Sequence, residues 1–189
     1  MSREKIQVRI KLEAPYQLRR GAYPGLVHGN VIRLRYTDLV TRLNLRPERI
    51  CAMKFLFRIL RRLVGYLLGV LLVGHVGKLV KVAGGIMNTH SHTADCRTEL
   101  FCTHAALCGA DRKVCTALYN AATTDACLEI LDTAGLRKPV LQSLLAAIQL
   151  HLDRRAGGAF RVGAVLFSNQ HGPLGETKTA KELMQEWQN

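Results

Sequence analysis

The sequence has few aromatic residues, no internal repeat and no long apolar run, and each absence argues against a class of protein. Aromatic residues make up 6% of the 189 positions, which argues against a surface that stacks single-stranded nucleic acid. No period of 20–50 residues recurs, so a solenoid is excluded. The longest apolar run, Leu63–Val76, has about 14 residues and is too short to cross a bilayer as a helix.

The cysteines also lack the patterns of a secreted or zinc-binding framework. The chain has 6 cysteines but no Cys-x-x-Cys pair, and the N-terminal segment MSREKIQVRI has no apolar stretch typical of a signal peptide. Cys102, Cys108 and Cys115 recur at a helical spacing, which is typical of small buried thiols. We therefore expect a reduced protein with a cytoplasmic localisation.

Positive charge is present in excess and is unevenly distributed. Residues 1–68 contain 15 Lys/Arg and 4 Asp/Glu, a net charge of +11, whereas residues 69–189 contain 12 and 10, a net charge of +2. A basic half predicts attraction to nucleic acid, a membrane surface or a polycarboxylate ligand, or it is a solvated basic face. A nucleic-acid or membrane-surface protein therefore stays open as an alternative, although we expect neither a nucleic acid nor a membrane as partner.

Apolar periodicity predicts strands that alternate with helices. Residues 69–77 and 161–168 are continuous Val/Leu-rich runs typical of strands buried on both faces. The remaining pattern predicts helices at 4–18, 95–109, 111–134, 138–155 and 177–187, and a loop at 169–177. Such an order favours an α/β fold with a parallel sheet, whose ligands bind at the carboxyl ends of the strands.

The glycine- and histidine-rich stretch Gly69–Glu99 emerges from such a strand end. It is not a P-loop, because Leu72 and Leu79 stand where GxxxxGK[ST] requires Gly and Ser or Thr. Its backbone amides could still hold an anion. A nucleophilic site around Ser91 is disfavoured, because no strand–nucleophile–helix elbow precedes it.

A metal site is the other interpretation of this stretch. Potential ligands lie close together in sequence: His90, His92, Asp95, Cys96, Cys102 and His104. No second ligand pair stands at zinc-finger spacing, and a helix would place Cys102 and His104 about 200° apart. We therefore expect no protein-bound metal.

The same residues resemble a known family. The segment at 69–110 reads GVLLVGHVGKLVKVAGGIMNTHSHTADCRTELFCTHAALCGA, and that at 122–136 reads ATTDACLEILDTAGL. Both closely resemble the cobalt-precorrin-5B C1-methyltransferases, the CbiD family. Residues 69–189 are well matched, whereas residues 1–68 are divergent.

The resemblance implies a domain organisation. Family members are roughly twice as long, with an N-terminal α+β domain that this chain lacks. We expect residues 1–189 to form a single C-terminal α/β domain, a three-layer Rossmann-like unit with a parallel sheet of about four strands flanked by helices. Two alternatives follow for the N-terminal half. It is encoded separately as a partner chain, or this chain is a truncated or decayed copy of a family member.

The resemblance also implies a function. Family members methylate ring carbon C1 of cobalt-precorrin-5B to give cobalt-precorrin-6A in anaerobic cobalamin biosynthesis, with S-adenosyl-L-methionine as methyl donor. The cobalt belongs to the tetrapyrrole substrate, whose carboxylates suit a basic cleft. The alternative is a non-catalytic tetrapyrrole-binding subunit or a decayed fragment.

Chemistry at family-matching positions selects the site residues. The catalytic assignments are His75, His90 and Asp95, where Asp95 either orients a histidine or caps the helix that follows. The assignments to substrate or cofactor binding are Gly74, Gly77, Lys78, Lys81, Asn88 and Ser91. A turn at Gly74–Gly77 lets a ligand approach the backbone closely, the lysines neutralise carboxylates, and the last two residues are polar groups in a loop.

Overall fold

A computed structural model describes residues 6–12, 27–28, 31–35, 67–89 and 94–188. The apolar spacing also predicts helices at 36–45 and 55–67 and a strand at 49–53, and these elements lie outside the described residues apart from position 67. The strands are β1 (Ile6–Leu12), β2 (Val27–His28), β3 (Val31–Arg35), β4 (Leu67–His75), β5 (Val162–Ser168) and β6 (Gly172–Glu176). The helices are α1 (Val76–Ala83), α2 (Arg97–Leu107), α3 (Arg112–Tyr119), α4 (Thr124–Thr133), α5 (Arg137–Ala156) and α6 (Lys178–Gln188).

The strands form one mixed sheet in the order β2-β3-β1-β4-β5-β6. Only β4 and β5 are parallel among the described strands, with Val73 opposite Val165, and the other pairs are antiparallel. The α/β class is confirmed, but the described strands do not form a parallel sheet of about four strands. One reason is the short connection at 169–171, because parallel neighbours need a crossover of a dozen or more residues.

Three other predicted elements are corrected. Residues 6–12 form a strand and not part of a helix, because Ile6, Val8 and Ile10 alternate with polar residues at the strand period. The predicted loop at 169–177 contains β6. The predicted single helix at 111–134 is two helices, because α3 ends before Asn120 and the Thr123 hydroxyl caps α4 by accepting from the Ala126 amide at 3.1 Å.

Helices cover both faces of β4 and β5. On one face, Val70, Leu72, Ala164 and Leu166 pack in the main core with residues of α1, α2, α4 and α5. On the other face, a Cβ added to Gly163 would lie 2.5 Å from the Ala180 Cα in α6. This layering explains why β4 and β5 are continuous apolar runs in the sequence.

No helix in the described part of the chain is long and apolar enough to cross a membrane.

Candidate functional site

The carboxyl end of β4 leads directly into a helix. His75 is the last residue of the strand and the N-cap of α1, and its Nδ1 accepts a hydrogen bond from the Gly77 amide at 3.1 Å. Since Nδ1 is an acceptor, the proton of the neutral ring is on Nε2. The expected open turn at 74–77 is therefore wrong: Gly74 ends the buried part of β4, and Gly77 lies in the first turn of α1.

The neighbouring parallel strand ends beside this histidine. Phe167 of β5 is the register partner of His75, and their rings meet edge to face with centroids 5.8 Å apart. Ser168 follows as the last residue of β5. The carboxyl ends of the parallel strands β4 and β5 therefore lie side by side at the same edge of the sheet.

A second helix begins at the same place. A Cβ added to Gly77 would lie 3.2 Å from Thr124 Oγ1 and 3.3 Å from His75 Nδ1. Thr124 is the first residue of α4 and is buried. The N-terminal turns of α1 and α4 therefore meet, and both direct their partial positive charge to this end of the sheet.

A partly buried hydrogen bond joins α4 to the end of β5. Ser168 Oγ donates to Asp125 Oδ1 at 2.6 Å, and it accepts from the amides of Gln170 and His171 at 3.0 and 3.2 Å. Ser168 is 2% exposed. Within the described part of the chain, the Oδ2 oxygen of Asp125 has no hydrogen-bond partner.

We refer to His75, Gly77, Thr124, Asp125 and Ser168 as the strand-end cluster. It combines an imidazole, two hydroxyl groups and a carboxylate oxygen at the carboxyl ends of two parallel strands. In open α/β sheets this position is where ligands bind. The cluster is chemically suited to hydrogen-bond a polar small molecule.

The two lysines of α1 face the segment that follows the helix. Lys81 is 1% exposed, and its Nζ donates to the Ala94 carbonyl at 2.6 Å and lies 3.8 Å from Asp95 Oδ1. Lys78 Nζ donates to the Thr89 carbonyl at 3.4 Å. The lysines therefore fix both ends of the segment that carries His90 and Ser91.

Asp95 does not fill either role expected of it among the described residues. Its carboxylate accepts from Arg97 Nε at 2.6 Å and also from Arg97 Nη2, and this pairing lowers the pKa of Asp95. The N-cap of α2 is Cys96, which makes no side-chain capping hydrogen bond. Asp95 therefore orients no histidine in the described residues, where its charged partners are Arg97 and Lys81.

Of the other predicted site residues, the structure describes Gly74 and Asn88, and these two lie apart from each other. His90 and Ser91 lie outside the described residues. Gly74 pairs with Leu166 inside the sheet. Asn88 lines a cleft beyond the C-terminal end of α1, and so it is not part of the strand-end cluster.

The potential metal ligands do not form a cluster in the part of the chain that the structure covers. His104 is buried, its Nδ1 lies 2.7 Å from Ser143 Oγ, and burial lowers its pKa. Burial raises the pKa of Cys102, and Cys115 Sγ donates to the Ala110 carbonyl at 3.8 Å. These side chains have neighbours within the protein.

Sequence reasoning missed Thr124, Asp125 and Ser168. A signal was present, because Thr-Thr-Asp before an apolar run is typical of a helix start. A serine at the end of the last predicted strand was a second signal, since ligands bind where parallel strands end.

The fold and the strand-end cluster together define an α/β domain with polar groups at the carboxyl ends of a parallel strand pair. Residues 88–178 match the family model described as CbiD, C-terminal domain. The resemblance to this family is therefore confirmed for the C-terminal part of the chain.

Several curated proteins named cobalt-precorrin-5B C(1)-methyltransferase are similar to the chain. One, from Ruminiclostridium cellulolyticum, is 47% identical over 105 residues, which are 56% of this chain and 27% of that protein. One from Methanobrevibacter smithii is 49% identical over 76 residues, 40% and 21% of the two chains. One from Listeria monocytogenes is 36% identical over 121 residues, which are 62% of this chain and 32% of that protein. The chain thus spans less than a third of these relatives, and no solved structure matches it.

Proposed function

We propose that the chain contributes the C-terminal part of a cobalt-precorrin-5B C1-methyltransferase of anaerobic cobalamin biosynthesis. The product is cobalt-precorrin-6A, and the methyl donor is S-adenosyl-L-methionine. The observation that carries the proposal is the 47% identity over 105 residues to a relative with this name. Residues 88–178 also match the family's C-terminal domain.

The strand-end cluster fits the needs of the donor. S-adenosyl-L-methionine supplies an electrophilic methyl group when it is bound. In our proposal the Asp125 Oδ2 oxygen accepts hydrogen bonds from its ribose hydroxyls, and the Thr124 hydroxyl binds a second polar group. Gly77 keeps the two helix starts in contact, because a side chain there would push against Thr124.

His75 and the segment after α1 face the tetrapyrrole in this proposal. His75 Nε2–H donates a hydrogen bond to the macrocycle edge, since Nδ1 is occupied by the Gly77 amide. His90 and Ser91 complete the substrate side, with His90 as the group that moves a proton. The protein then contributes position and electrostatics, which is sufficient when a ring carbon attacks an electrophilic methyl group.

The remaining residues have supporting roles in the proposal. Lys78, which is partly exposed, attracts the substrate carboxylates, whereas buried Lys81 positions the segment through the Ala94 carbonyl. Asp95 keeps Lys81 and Arg97 in place. Gly74 and Asn88 act through packing and through the cleft that Asn88 lines.

The alternative proposal is a non-catalytic tetrapyrrole-binding subunit, which would act together with a separately encoded N-terminal half. A decayed fragment is the other form of this alternative. In either case we propose a cytoplasmic, single Rossmann-like domain without a resident metal. The β4–α1 unit and its parallel partner β5 support the Rossmann-like assignment.

The test is a binding and turnover experiment on the full chain. Thermal melts are recorded with S-adenosylhomocysteine and with a cobalt corrinoid carboxylate, because a ligand at about 100 times its Kd adds about 2.7 kcal/mol. Transfer of a labelled methyl group to cobalt-precorrin-5B is then measured with and without the N-terminal part of the Ruminiclostridium cellulolyticum relative. Turnover supports the enzyme, and binding with turnover only after addition supports the subunit. Indifference to both ligands, with or without the added part, overturns both proposals.

A further inference from the structure

A basic cleft lies at the end of α1 opposite His75. Its volume is about 440 Å³, and its walls are the segment Gly85–Asn88 and the last turns of α5. Among the described residues, the polar side chains that line it are those of Asn88, His151, Arg154 and Arg155, and none of them is a carboxylate. A cleft of this size and charge suits a small anionic ligand.

The end of α1 fixes one wall of the cleft. The Gly85 amide donates to the Val82 carbonyl at 2.9 Å, and the Ile86 amide donates to the Lys81 carbonyl at 3.1 Å. This is a Schellman motif, and it requires a left-handed residue, which is Gly85 with φ of 76°. The motif turns the chain so that Asn88 comes to face α5.

The same glycine brings the two walls together. A Cβ added to Gly85 would lie 3.1 Å from Cε1 of His151. The backbone therefore approaches the imidazole as closely as the absence of a side chain allows. The cleft therefore has two ordered walls, the segment Gly85–Asn88 and α5, which are in contact at Gly85 and His151.

Arg154 has no acidic partner among the described residues, unlike Arg137 and Arg161. Arg137 is paired with Asp132, and Arg161 is paired with Glu182 and Glu186. The carboxylate next to Arg154 in sequence, Asp153, accepts from Gln149 Nε2 at 2.7 Å. The positive charge of Arg154 is therefore not neutralised by its own helix.

A purely structural role accounts for only part of this arrangement. Arg154 and Arg155 lie in the last turn of α5, where positive charge stabilises the helix dipole. The helix dipole does not explain why Asn88 and His151 line the same cleft as these arginines, or why none of the described lining residues is a carboxylate. An anion held by the planar guanidinium group of an arginine explains both observations.

We propose that this cleft binds an oxyanion group of a small molecule, a carboxylate or a phosphate, with Arg154 as the main charged contact. The α1 helix has 8 residues and separates the cleft from His75 by about 12 Å at 1.5 Å per residue. The ligand group therefore binds apart from the strand-end cluster. The carboxylate source is a peripheral group of the proposed tetrapyrrole, and the phosphate source is a separate metabolite.

Calorimetric titration of the full chain tests this proposal, with citrate and inorganic phosphate as separate probes. We expect saturable 1:1 binding of at least one probe, weakened about ten-fold or more by Arg154→Gln and partly restored by Arg154→Lys. Arg112→Gln is the matched control, because Arg112 is also exposed and has no acidic partner in the described residues. Thermal melts establish that each variant is folded.

The outcomes separate the sources and the alternatives. Binding of citrate alone identifies a carboxylate site, and binding of phosphate alone identifies a phosphate site. Equal weakening by Arg154→Gln and Arg112→Gln would show nonspecific attraction to a basic protein and would overturn the proposal. Absence of saturable binding of both probes would overturn it too, and a lower Tm for Arg154→Gln alone would then assign Arg154 to the helix dipole. Because no methyl transfer is measured, failure here does not affect the proposed enzyme activity.

Discussion

His75 Nδ1 and the Gly77 amide, 3.1 Å apart, join the end of a strand to the start of a helix. The same imidazole contacts the ring of Phe167 on the neighbouring parallel strand. Its position is therefore fixed from two sides, one polar and one aromatic. A group held in this way can present Nε2–H in one direction only, which is what a binding site requires.

Two substitutions separate the structural role of His75 from its proposed role in binding. His75→Ala removes the N-cap and should lower the free energy of unfolding by about 1 kcal/mol, whereas His75→Asn retains a capping oxygen and should lower it by less. Chemical denaturation measures both effects. Corrinoid binding should weaken in both variants, because neither has an imidazole. Equal destabilisation by Ala and Asn would contradict the capping role.

Replacing Lys81 should loosen the segment after α1. Lys81→Met fills the same buried space but removes the donor to the Ala94 carbonyl. We expect faster amide hydrogen exchange in peptides that cover residues 86–96, and a smaller effect from Lys78→Met, whose bond to Thr89 is longer at 3.4 Å. Similar exchange in the two variants would mean that Lys81 does not anchor the segment.

Gly163 is required by the close packing of α6 on β5. An added Cβ would lie 2.3 Å from the Ala180 amide nitrogen, which is a backbone atom and cannot turn away. Gly163→Ala should therefore lower stability by about 1–3 kcal/mol or more, as over-packing does. In the control Gly158→Ala, the added methyl group meets nothing within 4 Å, so its cost is the backbone strain at φ of 73°, about 1 kcal/mol. A smaller loss of stability for Gly163→Ala than for this control would be inconsistent with the packing.

Burial raises the pKa of Cys127 to about 11, and its side chain is 0% exposed. The thiol is therefore neutral near pH 8 and should not react with a thiol-specific reagent until the protein unfolds. The folded pKa lies above the unfolded value of about 8.5. The contribution to stability is thus complete below pH 8.5 and is lost as the pH rises towards 11. The measurement is a time course of thiol labelling at pH 8, in which the Cys127→Ala variant should lack one slow-reacting thiol of the unchanged protein. Rapid labelling of Cys127 in the folded protein would refute the assignment.

The elements that sequence analysis predicted correctly are those whose pattern is set by a single local rule. The strand at 162–168 is a continuous apolar run bounded by polar residues, and the helix at 137–156 keeps an apolar face over several turns. Residues 6–12 were predicted as a helix because a short segment with apolar residues at alternate positions also fits part of a helical pattern. Pairing with β4 selects the strand over the helix, and this pairing cannot be predicted from the local sequence of residues 6–12.

The glycines around His75 also show that local sequence patterns do not predict tertiary contacts. Gly74 and Gly77 were interpreted as turn residues, but both are buried in regular elements, and Gly77 is small because α4 contacts it there. His75 was predicted as a site residue because it follows a buried strand. Asp125 and Ser168 were missed because the fold joins residues 43 positions apart. Such contacts depend on tertiary structure and leave only weak local signals.

The sheet order also has a consequence for dividing the chain. Every residue of β1 pairs with β4, so the basic segment before residue 68 supplies a neighbour to the strand that leads into His75 and α1. A fragment that began at residue 69 would leave the amide and carbonyl groups of β4 without partners along one side. Open strand edges of this kind recruit strands from other molecules. The β1 strand therefore covers an edge of β4 that would otherwise be open to self-association.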